Sequence, residues 1–127
     1  MFSTRFALAA AAIVIAAPAV AFDAKPYDQK SFEAAQAAGK SILVEVHADW
    51  CPTCKAQKPI LGSLAKKPEF KNVTAFRVDF DGQKDALKTF AAQRQSTLIV
   101  FKGKTETGRS VGSTDAAAIE KLIASGV

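Results

Sequence analysis

The stretch ILVEVHADWCPTCKAQKPIL (residues 42–61) decides the fold, because it joins a buried strand to a helix through a pair of cysteines. Its first part is mostly apolar and β-branched, which is typical of a strand that is buried on both faces. A helical pattern begins around Pro52 and runs to about Lys66, and Pro59 inside it predicts a kink. The two cysteines therefore stand where the strand gives way to the helix.

Helices and strands alternate on both sides of this unit. Helices are predicted over Asp28–Gly39 (capped by Asp28 or Ser31), over Gly82–Gln93 and after a cap at Thr114; strands are predicted over Ser41–Ala48, Val73–Phe80, Ser96–Lys102 and Thr105–Val111. The alternation implies parallel pairing of the early strands, whereas the turn at Gly103-Lys104 implies an antiparallel hairpin. The sequence thus predicts an α/β domain with a mixed sheet between helices.

The first 21 residues have the features of a cleaved secretory leader. Arg5 precedes an apolar run over Phe6–Ala17, and the small residues Ala19 and Ala21 fit a signal-peptidase site. Because this run is shorter than the roughly 20 residues that span a bilayer, we expect no stable membrane association after cleavage. We predict a leader over residues 1–21 and one domain over residues 22–127, exported to an oxidising compartment where disulfides persist.

Composition argues against a nucleic-acid partner. The net charge is +5, but the lysines are scattered and no aromatic residues interleave with them. A chain of this length supports a single core, and we expect a monomer without a cofactor.

The cysteine pair has three competing interpretations. A structural staple closing such a short loop contributes only about 2 kcal/mol by the chain-entropy formula. A structural zinc site needs four ligands, whereas Cys51, Cys54 and His47 supply at most three. Redox exchange needs only the pair at a helix N-terminus, where amides and the helix dipole stabilise a thiolate. The residues favour a redox pair in which Cys51 is the exposed nucleophile and Cys54 the shielded resolving partner.

Neighbouring side chains suggest further roles. Glu45 lies in an otherwise apolar strand, so burial would raise its pKa and allow it to take the Cys54 proton. The alternative is that Glu45 faces solvent from an edge strand. His47 shares a face with Glu45 and is expected to pack, tune the thiolate or bind a metal. Trp50, beside the nucleophile, is a core residue or a substrate contact.

These residues resemble the active-site strand and helix of thioredoxins. The resemblance covers W-C-x-x-C-K, the helix proline Pro59 and the strand carboxylate Glu45; FRVDFD (residues 76–81), with its Arg77, resembles the family's central strand. It implies the thioredoxin fold and a thiol–disulfide oxidoreductase that acts on protein thiols and disulfides, with substrate framed by Trp50, Pro52 and Ser96. ADWC also resembles exported domains such as the last domain of the DsbD type. That likeness implies a periplasmic protein of a Gram-negative bacterium, a reductant more than an oxidant, with an upstream membrane redox partner.

One residue departs from the family pattern. Thioredoxins place a cis-proline before the threonine of STLIVFKGK (residues 96–104), where this chain has Ser96. Since a non-proline cis bond costs about 2.5–4 kcal/mol, the Gln95–Ser96 bond is either trans with an altered loop or cis under strain. The missing proline makes a copper or zinc site at Cys51, Cys54 and His47 the alternative function. A redox-silent interaction module is a third possibility.

Overall fold

The computed structural model describes residues 10–14 and 22–127. The elements follow the order β1 (Lys25–Pro26), α1 (Gln29–Ala37), β2 (Ser41–His47), α2 (Pro52–Leu64), β3 (Thr74–Asp79), α3 (Lys84–Thr89), β4 (Thr97–Lys102), β5 (Thr105–Val111) and α4 (Ala116–Ala124). A 3₁₀ turn, Pro68–Phe70, precedes β3. Apart from residues 10–14, the predicted leader and its cleavage point lie outside the described residues. In the described ranges, no helix has the length and apolar character needed to cross a membrane.

The five strands form one mixed sheet in the order β1-β3-β2-β4-β5. β3 pairs in parallel with both β1 and β2, whereas β4 is antiparallel to β2 and to β5. This confirms the predicted α/β class, the parallel early strands and the antiparallel hairpin. The central strand is β2, however, and not the FRVDFD segment that forms β3. The sequence also missed β1, a two-residue edge strand in which Pro26 is tolerated because an edge leaves N–H groups unpaired.

Helices cover both faces of the sheet, and each face has its own apolar core. One core joins the sheet to α1 and α3 and includes Phe32, Val44, Val46, Leu87 and Phe90. The other core joins the sheet to α2 and α4 and includes Leu43, Leu61, Leu64, Ile119 and Ile123. Since successive residues of β2 point to opposite faces, Glu45 lies on the same face as Leu43, under α2.

Two predicted helix ends were wrong. The helix predicted over Gly82–Gln93 covers only Lys84–Thr89, because Ala91 takes a left-handed backbone with φ 50°. Arg109 of β5 donates to the carbonyl of Phe90 at 3.0 Å and so stabilises this early end. The cap of α4 is Asp115 rather than Thr114, since the Asp115 carboxylate accepts the Ala118 N–H.

Candidate active site

The two cysteines lie at the N-terminal end of α2 and form a disulfide with a Cα–Cα distance of 5.3 Å. β2 ends at His47, and a three-residue connection leads from it to Cys51. Cys51 is the N-cap of the helix, and its Sγ accepts the backbone N–H of Cys54 at 3.0 Å. A sulfur at an N-cap takes the place of the usual side-chain oxygen, and a thiolate there gains from the N–H and from the helix dipole. The strand and helix thus place Cys51 where a thiolate is stabilised.

Exposure does not separate the two sulfurs as we had predicted. In this disulfide state Cys51 is 0% exposed and Cys54 is 5% exposed, so the prediction that Cys51 is the exposed member was wrong. Cys51 packs with Ala48 and Cys54 in a small apolar cluster, and Phe80, which follows β3, packs against this cluster. Phe80 comes from a distant part of the chain, so the motif alone did not predict this contact.

Glu45 is buried in the central strand, as its apolar neighbours predicted, and the edge-strand alternative is excluded. Desolvation raises the pKa of Glu45; the Arg77 guanidinium opposes this shift, and Asp23 adds to it. Arg77 stands opposite Glu45 on β3, with Nη2 at 3.8 Å from Oε1. The carboxyl group opens on a cleft of about 170 Å³ that Lys58 and Leu61 of α2 also line. A buried carboxyl with a raised pKa therefore faces the helix that carries the cysteines.

Two of the predicted substrate contacts are exposed beside the disulfide. Trp50 is 55% exposed, its Nε1 donates to Asp81 Oδ2 at 2.8 Å, and its ring stands edge-on to Phe80. Pro52 is exposed at the first position of α2, where its missing N–H and fixed φ are favourable. Trp50 is therefore a surface residue held by Asp81 and Phe80, neither of which the sequence singled out.

Ser96, the third predicted contact, is buried with 4% exposure. The described residues contain no cis peptide bond, so the Gln95–Ser96 bond is trans and the loop is altered. Ser96 takes a left-handed backbone with φ 58°, which costs a non-glycine residue roughly 1–2 kcal/mol. Its N–H donates to the Val46 carbonyl at 2.8 Å, and the same carbonyl lies 3.9 Å from Cys54 Sγ. Ser96 thus borders the disulfide from inside the protein.

Gln57 is a site residue that sequence reasoning missed. It lies in α2 three residues after Cys54, is 3% exposed, and is the only asparagine or glutamine buried in the described ranges. Its Nε2 donates to the carbonyls of Ser96 at 3.1 Å and Ser113 at 2.9 Å. The signal was present in the sequence, because Gln57 falls in the buried stripe of α2 with Leu61 and Leu64.

His47 does not join the cysteines. It is half-buried at the end of β2, and its Nε2 lies 3.1 Å from Asp49 Oδ1. Across residues 10–14 and 22–127, no group of three His, Cys, Asp or Glu side chains is arranged to hold a metal ion. The alternative metal site at Cys51, Cys54 and His47 therefore finds no support in this geometry.

Comparison with known proteins gives a consistent result. The family model described as Thioredoxin matches residues 23–125. The thioredoxin of Chlamydia trachomatis serovar D is 36% identical over 95 residues, which cover 75% of this chain and 90% of that protein. A thioredoxin H-type of Fagopyrum esculentum is 30% identical over 93 residues, covering 73% and 78%.

Solved structures agree with these relatives. The crystal structure of Trxlp from Edwardsiella tarda EIB202 superposes with a TM-score of 0.77 at 40% identity, covering 80% of this chain and 98% of that one. A mutant thioredoxin from Halobacterium salinarum NRC-1 has a TM-score of 0.71 at 21% identity, covering 87% and 94%, a likeness of fold alone.

Proposed function

The chain belongs to the thioredoxin family of thiol–disulfide oxidoreductases, and from this premise we propose that it reduces protein disulfides through Cys51 and Cys54. The observation that carries the proposal is the disulfide at the N-terminus of α2, with the Cys54 N–H on Cys51 Sγ. The same contact supports Cys51 as the nucleophile, because an N–H donor and the helix dipole stabilise a thiolate at that sulfur.

The first step begins from the dithiol form of the protein. The Cys51 thiolate attacks one sulfur of the substrate disulfide, a new S–S bond forms to Cys51, and the other substrate sulfur leaves as a thiolate. Exposed Trp50 and Pro52 then supply the surface on which the substrate rests.

The second step releases the substrate. Cys54 loses its proton, attacks Cys51 Sγ and forms the intramolecular disulfide, while the second substrate sulfur leaves and takes up a proton. Two electrons have then passed from the protein to the substrate. We assign the Cys54 proton to Glu45, because desolvation raises the pKa of this carboxyl and so makes its carboxylate a stronger base. Glu45 lines a cleft of about 170 Å³ beside α2, which is large enough to hold water at about 30 Å³ per molecule.

Trapping the mixed disulfide tests the two cysteine roles. Cys54→Ser should accumulate a covalent complex with a reducible substrate such as insulin, and Cys51→Ser should form none and lose insulin reduction. Non-reducing gel electrophoresis and the mass of the complex give the readout. Equal trapping by both variants, or by neither, would contradict the assigned order.

We further propose that the protein works as a reductant in the periplasm and that a membrane redox partner reduces its Cys51–Cys54 disulfide again. The support is the apolar run Phe6–Ala17 followed by Ala19 and Ala21, together with the likeness of ADWC to exported electron-passing domains. Equilibration in glutathione buffers tests the direction, since thioredoxin stands at about −270 mV and the oxidant DsbA at about −120 mV. Mass spectrometry of periplasmic protein tests the location, with a chain beginning at Phe22 as the expected result.

A further inference from the structure

A groove with four lysines lies at the end of the sheet opposite to the disulfide. β2 and β3 begin at this end, at Ser41 and Thr74, and β4 finishes there, whereas Cys51 follows the other end of β2. At about 3.3 Å per residue, the length of β2 separates the two ends of the sheet by about 20 Å. The groove has a volume of about 630 Å³, and the lysines that line it are Lys25, Lys40, Lys71 and Lys102.

The side chains that line this groove carry an excess of positive charge. Asp23 is the single acidic side chain among the described residues that line it, so four lysines and one aspartate give a net charge of +3. All four lysines are exposed, and none of them forms an ion pair with another described residue. Lys67, by contrast, lies outside the groove and is paired with Glu120. The fold thus gathers lysines that are scattered in the sequence into one concave surface, which attracts anions.

The groove suits an extended anion better than a compact one. Its volume falls in the range of about 300–1,000 Å³ that is typical of ligand sites, so a single inorganic phosphate would leave most of it empty. α1 meets the groove at its C-terminal end, where Ala38 and Gly39 line it, and the negative end of the helix dipole disfavours a phosphate there. The cations that line the groove are all lysines, which are point charges on flexible stems rather than rigid forks around one phosphate. Carboxylates that are spaced along a peptide match such a set of separate charges.

We propose that this lysine groove is a docking site for an acidic, extended segment of a partner protein. Carboxylates of that segment pair with the four ammonium groups, which have no other ionic partner among the described side chains. Because the groove lies at the far end of the sheet, a partner that is bound there leaves the end with Cys51 and Cys54 free for disulfide exchange. Docking does not depend on the proposed exchange, so each can be tested without the other.

Removing two of the lysines gives the expected size of the effect. Lys40→Gln/Lys71→Gln takes one positive charge from each of two loops that line the groove, at exposed positions where folding does not depend on the side chain. Two exposed ion pairs of ordinary strength together correspond to about a tenfold change in Kd. Lys88→Gln/Lys121→Gln is the matched control, because it removes the same charge from exposed positions of α3 and α4 outside the groove.

Fluorescence anisotropy of a rhodamine-labelled oligoglutamate peptide at low ionic strength tests the docking site. The unsubstituted protein and the control variant should bind this peptide with Kd values within about twofold of each other, and Lys40→Gln/Lys71→Gln should bind it about tenfold more weakly. Binding should weaken as the ionic strength rises above about 0.1 M, and an oligoglutamine peptide should not bind. No binding of oligoglutamate by the unsubstituted protein overturns the inference. Equal weakening in the two double variants also overturns it, because it shows attraction by net charge alone.

Two further anions separate an acidic segment from other ligands. Inorganic phosphate at constant ionic strength should not displace the peptide, and displacement would overturn the inference in favour of a compact anion site. Vesicles of phosphatidylglycerol should sediment Lys40→Gln/Lys71→Gln and the control variant to the same extent. Weaker sedimentation of the groove variant would overturn the inference in favour of a membrane-docking surface.

Insulin reduction in the presence of the peptide tests the placement of the groove. The rate should stay within about twofold of the rate without peptide, because the groove and the disulfide lie about 20 Å apart. Inhibition by bound peptide would overturn a docking site remote from the disulfide. A protein that binds the peptide but does not reduce insulin even in its absence would contradict the proposed function alone, so the two failures are distinguishable.

Discussion

Replacing Ser96 with proline should destabilise this protein, although proline is the residue its family places there. Proline fixes φ near −65°, whereas Ser96 has φ 58°. Proline also removes the N–H that reaches the Val46 carbonyl at 2.8 Å, leaving a buried acceptor at a cost of about 1–3 kcal/mol. Reversing φ moves the Ser96 carbonyl away from Gln57 and Gly112, and each lost bond costs about 0.5–1.5 kcal/mol.

Together these losses lower the free energy of unfolding by about 3 kcal/mol. At about 4 °C per kcal/mol for a domain of this size, the melting temperature should fall by about 12 °C. The assay is thermal unfolding of the oxidised domain, followed by far-ultraviolet circular dichroism with the disulfide intact. Ser96→Gly is the control, because glycine keeps the N–H and adopts positive φ freely; it should stay within about 1 kcal/mol of the parent. A Ser96→Pro variant as stable as the parent would refute the view that this N–H and this φ hold the loop.

Three further predictions concern single substitutions. Burial raises the pKa of Glu45 in the folded state, so the parent loses stability as the pH rises through that pKa. Glu45→Gln should therefore be more stable than the parent at pH 8, and the difference in free energy of unfolding between the two proteins should close at pH 4. Urea midpoints at the two pH values measure this difference, and an equal difference at both would contradict the prediction. Gly126→Ala places a Cβ at 2.5 Å from Val100 Cγ1 and 3.1 Å from the Phe101 carbonyl, so it should cost about 1–3 kcal/mol. Gly62→Ala, with nothing within 4 Å of its Cβ inside α2, should instead stabilise by about 0.5–1 kcal/mol; a loss of stability in calorimetry would count against this account.

Local patterns were sufficient for the parts of the fold and site that depend on neighbours in sequence. The apolar run before the cysteines predicted the buried strand β2, and the stripe containing Leu61 and Leu64 predicted the inner face of α2. The burial of Glu45 followed from its apolar neighbours, because Leu43, Val44 and Val46 of the same strand are themselves buried. In each case the residues that determine the feature lie close together in the sequence.

Residues that are distant in sequence decided the rest. The early end of α3 is stabilised by Arg109 of β5, and the cluster that contains Cys51 is completed by Phe80, which follows β3. The trans, left-handed Ser96 depends on partners as far away as Gln57 and Gly112. No periodicity within a short window carries that information. The sequence showed that Ser96 departs from the family pattern, but it did not show that the Gln95–Ser96 bond is trans with Ser96 in a left-handed conformation.

The placement of Trp50 gives the protein a built-in optical signal. It is the single tryptophan of the chain and the residue next to Cys51, so the indole emission comes from one position only. Its ring is fixed by the hydrogen bond to Asp81 and by the edge-on contact with Phe80. A change of emission therefore follows the state of the neighbouring sulfurs rather than free rotation of the ring. Stopped-flow fluorescence of the unlabelled protein can accordingly time the opening and closing of its own disulfide.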